Sequence, residues 1–442
     1  MSIKIGMVSL GCPKNQTDAE IMLSIISKAG YEITGDETEA DAIIVNTCGF
    51  IADAKAEAIE NILELAEQKS KGNLKALIVT GCLAERYKDE IIDELPEVDA
   101  VVGIGANRDI VSVIEQTLKG EKTCLYAKKE DLLMDADRIL TTPKYSAYLR
   151  ISDGCDNCCT YCAIPKIRGR FRSREMESII EEAKTLAKNG AKEITLIAQD
   201  TTRYGQDLYG EPRLAELLEE LDKIDGIKWI RMLYTYPDLI DDKLLLTIKN
   251  SKRILHYLDI PMQHASESVL KNMNREGNPE KYKALINHIR EVLPDVTIRT
   301  TMMVGFPGET DEDFETLAEF IKAAEFDRMG CFAYSAEEGT MAATMSGQVD
   351  EQIKENRKDI LYTSQSFISE KRCSAKIGTT QEVLVEGYDS LNKCYYGRSK
   401  ADAPEIDGKV FFTSKEKILP GVFTNVQITD IIDYDLIGER SN

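Results

Sequence analysis

The sequence has 442 residues, 43% of them hydrophobic and 30% charged, and carries a net charge of −21. That length admits two or three domains with full cores, and the acidic balance disfavours phosphate backbones as partners and favours a basic protein. No run approaches ~18 uninterrupted apolar residues, so a membrane span is not expected. The opening MSIKIGMVSL passes straight into a strand pattern without the layout of a signal peptide, and the chain reads as cytoplasmic. Its 11 cysteines, an odd number, then read as metal ligands in preference to disulfides. With only His256, His264 and His288 present, an imidazole-rich metal site is not expected.

Residues 1–120 alternate strand and helix. Strand patterns lie near 3–10, 42–48, 76–81 and 99–103, with helical patterns such as AEIMLSIISKAG and AEAIENILELAEQ between them. This predicts a small parallel α/β domain. Three of the strand runs end in cysteine: IGMVSLGC at Cys12, DAIIVNTC at Cys48 and ALIVTGC at Cys82. In a parallel sheet all carboxyl ends lie on one edge, so three thiols distant in sequence can converge there. Gly11, Gly49 and Gly81 flank them and allow close backbone approach. A single cysteine of this kind reads as a small buried hydrophobe; three at equivalent strand ends read as a ligand set. Residues 121–143 have weak periodicity, end in Thr-Thr-Pro and read as a linker. Cys124, Cys331, Cys373 and Cys394 fit no ligand pattern.

Residues 144–371 hold six β/α units, with strands AYLRIS, EITLIA, KWIRMLY, HYLDI, VTIRTTMMV and DRMGCFAYS, followed by a helix near 349–371 that leaves the domain. Six repeats predict a partial (β/α)6 barrel, with its site at the carboxyl ends of the strands. Residues 374–442 contain short alternating runs (QEVLVEGY, KCYYGRS, GKVFFT, VFTNVQITDI) and predict a small antiparallel β-barrel.

The segment GCDNCCTYCAIP follows the first barrel strand and spaces Cys155, Cys159 and Cys162 as C-x3-C-x2-C. Three such thiolates can hold three irons of a [4Fe–4S] cluster and leave the fourth without a protein ligand. The amine and carboxylate of S-adenosylmethionine can chelate that iron, and one electron then cleaves the sulfonium to an adenosyl radical. The competing reading is a zinc knuckle with Cys158 as fourth ligand, which requires adjacent Cys158 and Cys159 to bend toward one metal. Tyr161 either packs or contacts the adenine. Gln199, Asp200, Gln263 and Arg299 are polar residues at or near strand ends, where cofactor contacts lie. In VGFPGET, Thr310 with Asp313 fits a helix cap, while Gly305 and Gly308 can admit a cofactor to the backbone. The basic run IRGRFRSRE (167–175) is a solvated face, a seat for an acidic target or an interdomain clamp.

The C-x3-C-x2-C motif at the end of the first barrel strand resembles the radical S-adenosylmethionine superfamily. With Cys12, Cys48 and Cys82 ahead of it and a TRAM-like β domain behind, nearly the whole chain resembles the methylthiotransferases. SLGCPKNQTDAE, YLDIPMQHASESVLKNMNR and GRSKADAPEIDG resemble the branch that modifies an aspartate of the twelfth small-subunit ribosomal protein; the branch that modifies a tRNA adenosine reads differently at each. The resemblance implies a second [4Fe–4S] cluster on Cys12, Cys48 and Cys82 that holds a sulfur species. It implies two molecules of S-adenosylmethionine, a low-potential electron donor, and transfer of a methylthio group to the β-carbon of the target aspartate. Both clusters would face one solvent-excluding cavity, with nucleic-acid contact only through the ribosome. In the terminal domain acids modestly outnumber bases, which suits a basic ribosomal protein better than a phosphate backbone. Three rivals make different predictions. A tRNA adenosine methylthiotransferase modifies tRNA, a plain radical methylase survives loss of the amino-terminal triad, and a non-catalytic iron–sulfur or zinc protein does not cleave S-adenosylmethionine.

Overall fold

Apolar runs long enough to be buried on both faces form the centre of the amino-terminal sheet. The computed structural model describes residues 2–72 and 74–441. Strands Lys4–Ser9 (β1), Glu32–Thr34 (β2), Ala42–Thr47 (β3), Ala76–Gly81 (β4), Ala100–Val102 (β5) and Thr123–Leu125 (β6) form one parallel sheet in the order β2-β1-β3-β4-β5-β6. β3 and β4 are buried along their whole length, as strands between two helix layers must be. Ala58, Ile62 and Leu65 of the helix Ala52–Lys71 cover Ile43, Val45, Leu77 and Val79 on one face. Met22 and Ile26 of the helix Pro13–Lys28 cover Ile5, Ile44 and Ile78 on the other. The edge strands β2 and β6 have no counterpart among the sequence expectations. β6 lies within the stretch expected as a linker, and its Thr123, Cys124 and Leu125 pair with Ala100, Val101 and Val102. Three residues are too few for periodicity to register; the partner strand supplies the order.

The next strands are Ser146–Arg150 (β7), Ser152–Asp153 (β8), Arg172–Ser173 (β9), Glu193–Ile197 (β10), Trp229–Met232 (β11), Tyr257–Gln263 (β12), Thr297–Val304 (β13) and Arg328–Ala333 (β14). The six expected barrel strands are β7 and β10 to β14. They run parallel as two three-stranded arcs, β7-β10-β11 and β12-β13-β14, joined by one bridge between Ile230 and Ile254. β8 and β9 pair antiparallel and bracket the loop that carries Cys155, Cys159 and Cys162. The helix Glu351–Ser374 does not simply leave the domain. It packs Leu361 into the barrel core, and Gln365 Nε2 donates to the Phe326 carbonyl at 2.8 Å.

Strands Thr380–Asp389 (β15), Cys394–Ser399 (β16), Val410–Thr413 (β17), Phe423–Ile432 (β18) and Asp435–Arg440 (β19) close a barrel in the order β15-β16-β17-β19-β18. The expected antiparallel pattern fails at one place: β17 and β19 run parallel. A closed ring with an odd number of strands cannot alternate direction all the way round, so one like-directed pair is unavoidable. This barrel docks on the first arc of the β/α domain through a buried ionic contact. Glu193 at the start of β10 accepts from Arg398 at 2.5 and 3.1 Å and from Arg231 at 3.1 Å, beside an edge-on Trp229–Phe423 contact.

Burial alone would raise the Glu193 carboxyl, but Arg398 and Arg231 outweigh it and hold it at about 2, against an ordinary 4.5. The folded value lies below the unfolded one. The stabilisation is therefore complete above the unfolded value and is lost as pH falls through the folded one, a difference of about 3 kcal/mol. Glu193→Gln is expected to be less stable than the parent at neutral pH, and the gap should narrow as the solution is acidified from about pH 5 toward 3. Urea midpoints across that range check it.

Candidate functional site

Three tight turns draw Cys12, Cys48 and Cys82 to the carboxyl edge of the amino-terminal sheet. Cys12 caps the helix Pro13–Lys28, Cys48 follows β3, and Cys82 opens the helix Cys82–Tyr87. Gly11 and Gly81 adopt φ of 97° and 95°, a region that only glycine enters without strain. A Cβ on Gly11 would stand 2.8 Å from Cys48 Cβ, and one on Gly81 2.5 Å from the Thr47 carbonyl oxygen. Asn15 ties the loops together. Its Nδ2 donates to Thr47 O at 2.8 Å, and its Oδ1 accepts from Arg168 at 2.5 Å and from Cys82 Sγ at 3.4 Å. Burial pushes the Cys82 thiol up to about 12, with Arg168 opposing and Cys12 and Cys48 adding to the rise. The three thiols thus lie within electrostatic reach of one another.

The second triad sits on the loop between β8 and β9. Thr160 anchors that loop by donating from its backbone to Met273 O at 3.1 Å and from its hydroxyl to Asn272 O at 2.8 Å. Asn157 Nδ2 donates to Asp200 at 2.9 Å. Burial lifts Cys155 and Cys162 to about 12. The Ile164 amide donates to Cys162 Sγ at 3.4 Å, and Arg275 to Cys159 Sγ at 3.8 Å. Cys158 is exposed with φ of 50°, while its three neighbours in the motif are half-buried.

Both triads offer free thiols, with no imidazole among them. The three histidines pair elsewhere, with Asp295, Glu309 and Asp242. Among the described residues no three His, Cys, Asp or Glu side chains group closely enough to hold a single metal ion. An all-thiol donor set, three to a site, fits iron–sulfur ligation, in which each iron corner takes one thiolate. High thiol pKa values mean that such ligation would release protons.

The two triads belong to different domains, and the helices that adjoin them pack against each other. Cys82 forms a small buried cluster with Ala163 and Ile167, so the helix that Cys82 opens lies against the helix Ile164–Arg168 that follows Cys162. At this seam Arg168 lies 2.9 Å from Asp153 and, as an ion pair without hydrogen-bond alignment, 2.9 Å from Asp18. Arg150 pairs with both carboxylates from the barrel side. All four side chains are at most 2% exposed. Of the three readings of the basic run, the clamp describes Arg168. Arg174 pairs with Asp135 of the connecting stretch and Glu182 of the barrel domain, and Arg172 donates to backbone carbonyls including that of Lys129. Arg170 alone of the run's arginines is exposed.

The remaining expected site residues divide. Tyr161 meets Phe306 edge-on at 6.5 Å, which fits packing. Gln199 follows β10, and its buried Oε1 has no partner. Asp200 is engaged by Asn157, Thr202 and Arg203 and so fixes the cysteine loop. Gln263 ends β12 with φ of 71°. Gly305 also has φ of 71°, but its amide donates to Glu309 at 2.7 Å, and a Cβ there would stand 2.2 Å from Lys354 Cγ. The close approach at Gly305 is that of the helix Glu351–Ser374. Arg299 is not at this rim. It is the third residue of β13, paired with Asp259 at 2.9 Å and 3.6 Å from Asp407 of the carboxy-terminal domain. Sequence reasoning missed Lys14, Asn15, Asp18, Arg150, Asp153 and Arg275. The one available signal was adjacency, since Lys14 and Asn15 directly follow the Cys12 turn.

Comparison with known proteins covers each region. Residues 149–321 match the Radical SAM superfamily, residues 4–103 the uncharacterized protein family UPF0004, and residues 377–440 the TRAM domain. The chain is 49% identical to a protein of Acetivibrio thermocellus named ribosomal protein uS12 methylthiotransferase RimO, over 100% of this chain and 99% of that one. It is 52% identical to a protein of the same name from Pelotomaculum thermopropionicum, over 99% of each. Among solved structures, the radical S-adenosylmethionine methyltransferase TsrM from Kitasatospora setae, with cobalamin and a [4Fe-4S] cluster bound, aligns with a TM-score of 0.55 at 12% identity, covering 86% of this chain and 81% of that one. The cobalamin-dependent radical enzyme OxsB aligns with a TM-score of 0.51 at 12% identity, covering 82% of this chain and 56% of that one. At such identities the likeness is one of fold.

Proposed function

The chain belongs to the RimO methylthiotransferase family of the radical S-adenosylmethionine superfamily, and from that premise we propose that it adds a methylthio group to the β-carbon of an aspartate in ribosomal protein uS12. The observation that supports this most is the seam at Cys82, Ala163 and Ile167, where the helix that Cys82 opens packs on the helix that follows Cys162. Cys155, Cys159 and Cys162 would hold one [4Fe–4S] cluster and Cys12, Cys48 and Cys82 another. When bound, the first would supply one-electron cleavage of S-adenosylmethionine, fed by a low-potential donor, and the second the sulfur.

The work divides along the chain. Residues 1–120 carry the sulfur site, 144–371 the radical site and 374–442 the TRAM-like domain. Ala163 and Ile167 keep water from Cys82 at the seam, and the Tyr161–Phe306 pair backs the Cys155 loop from the barrel core. Asn15 and Arg168 hold the Cys82 turn, and Asp200 and Thr160 hold the Cys155 loop. Each triad is thereby fixed before substrate arrives, which near-attack geometry requires. The net charge of −21 attracts a basic ribosomal protein at long range. No helix among the described residues is long and apolar enough to cross a membrane, and a ribosomal substrate fits a cytoplasmic enzyme.

The test is anaerobic reconstitution with iron, sulfide, S-adenosylmethionine and a reductant, followed by mass spectrometry of uS12 and of tRNA. A methylthio group on a uS12 aspartate is the expected result. Its appearance on a tRNA adenosine instead would overturn the reading.

A further inference from the structure

Among the described residues, Arg275 is the one cation that reaches a sulfur of the second triad. It lies just beyond the helix Glu267–Asn272 and is 8% exposed. Its Nη2 donates to the Pro261 carbonyl on β12 at 2.6 Å, its Cζ lies 4.3 Å from the centre of the Tyr236 ring, and its Nη1 reaches Cys159 Sγ at 3.8 Å. The preceding residue, Asn274, donates to the carbonyls of Asn157 and Cys158 at 3.2 and 3.1 Å. One turn therefore grips the cysteine loop by its backbone and by one of its thiols. The guanidinium fork is anchored to a strand and stacked on a ring, so its place does not depend on the sulfur.

The counter-charge of Arg275 is on that sulfur. No carboxylate among the described residues pairs with it; Asp238 senses its charge only from beyond ion-pair distance. The titratable groups that face it are Tyr161, Cys159, Tyr236 and Tyr282. Burial pushes all three phenols up, so they stay neutral near pH 7 and Cys159 alone can carry the opposing charge. Elsewhere in the triad the charges cancel or are absent. Asp200 and Arg203, which act on Cys155, pair with each other at 3.1 Å. Cys162 Sγ accepts from a neutral backbone amide, that of Ile164. Arg275 is thus the uncancelled charge in contact with this triad.

We propose that Arg275 sets the reduction potential of the iron–sulfur cluster on Cys155, Cys159 and Cys162, and so decides how readily the electron donor loads it. This rests on the reading of that triad as a cluster site. One electron from the low-potential donor makes such a cluster one unit more negative. A fixed positive charge in dry surroundings stabilises that form, and an N–H directed at a ligand sulfur acts in the same direction. No proton moves, because a guanidinium keeps its own. Acting through Cys159, Arg275 is a positioning residue: it places a charge and touches no reacting atom.

The experiment is a redox titration of the reconstituted full-length enzyme followed by electron paramagnetic resonance. The signal of this cluster is the one that persists when Cys12, Cys48 and Cys82 are replaced. Arg275→Gln and Arg275→Lys are compared with the parent, and iron content and circular dichroism confirm that each variant is folded and loaded. At the parent's midpoint, Arg275→Gln should show a ratio of reduced to oxidised cluster roughly tenfold lower, a midpoint about 59 mV more negative for a one-electron couple. Arg275→Lys keeps the charge without the fork and should lie between the two. A merely structural role would lower iron content or stability and leave the midpoint of the loaded protein in place. An unmoved midpoint in loaded Arg275→Gln overturns the proposal, and a loss of S-adenosylmethionine binding in its stead would assign the guanidinium to the cofactor. An equal fall in both variants also overturns it, because charge would not be the cause. Should Arg275→Gln fail to load, Arg275→Lys carries the test, and a midpoint equal to the parent's overturns the proposal. A parent that binds no iron at this triad would remove the cluster reading itself, and this inference with it.

Discussion

Replacing Cys12, Cys48 and Cys82 together with alanine is expected to abolish methylthio transfer while cleavage of S-adenosylmethionine persists. The second triad depends on groups of its own domain: Thr160 on Met273 and Asn272, and Asn157 on Asp200. None of these contacts passes through an amino-terminal thiol. Iron should fall from about eight to about four per chain, as the loss of one of two four-iron clusters requires. Iron and sulfide analysis with Mössbauer spectra reads the first effect. Chromatography of 5′-deoxyadenosine and mass spectrometry of uS12 read the second. Continued methylthio transfer would remove the amino-terminal triad from the chemistry, and loss of both activities would mean that the sites are not independent.

The largest effect on stability is expected at Arg168. Its guanidinium reaches Asp153 and Asp18 at 2.9 Å and Asn15 at 2.5 Å, at 1% exposure. Arg168→Met would leave two buried carboxylates sharing Arg150 alone. Breaking a buried ionic cluster by removing one partner costs about 3–5 kcal/mol, because the charge left behind cannot be rehydrated. Arg168→Lys should recover only part of this, since an ammonium cannot serve several acceptors with a planar fork. Arg170 belongs to the same run but is exposed, and Arg170→Met should change stability by no more than about 0.5 kcal/mol. Denaturant titrations of the three variants separate these outcomes. Equal losses at 168 and 170 would show that the run acts through its overall charge.

The domain order and the placing of six cysteines at strand ends and on one loop were legible because they rest on local signals. A buried parallel strand is an uninterrupted apolar run, and C-x3-C-x2-C is read without knowing any distant partner. β2 and β6 escaped because a three-residue strand is defined by the neighbour it pairs with. The like-directed β17–β19 pair follows from closing a ring and leaves no mark on either segment. The charges at the seam escaped for a related reason. Asp18 sits in a helix and Arg150 ends a strand, and nothing nearby says that they meet. A charged residue reads as solvated until its counter-ion is placed. Arg299 and Gly305 were expected at a cofactor site from chemical type and strand position. Arg299 instead pairs at the amino end of its strand, and Gly305 accommodates a helix.

The ionic contacts between domains also bear on the order in which a newly made chain assembles. Arg398 lies 205 residues after Glu193 and Arg150 lies 132 after Asp18. During synthesis Asp18 emerges long before Arg150, and Glu193, which meets Arg231 after 38 residues, long before the Arg398 that completes its pairing. Until then each acid must stay hydrated, and a hydrated carboxylate keeps its docking face from adhering to passing apolar surfaces. Only the correct later segment can dry that face without leaving a stranded charge. The same pairs that lock the finished molecule thus guard the unfinished one against premature or mistaken association.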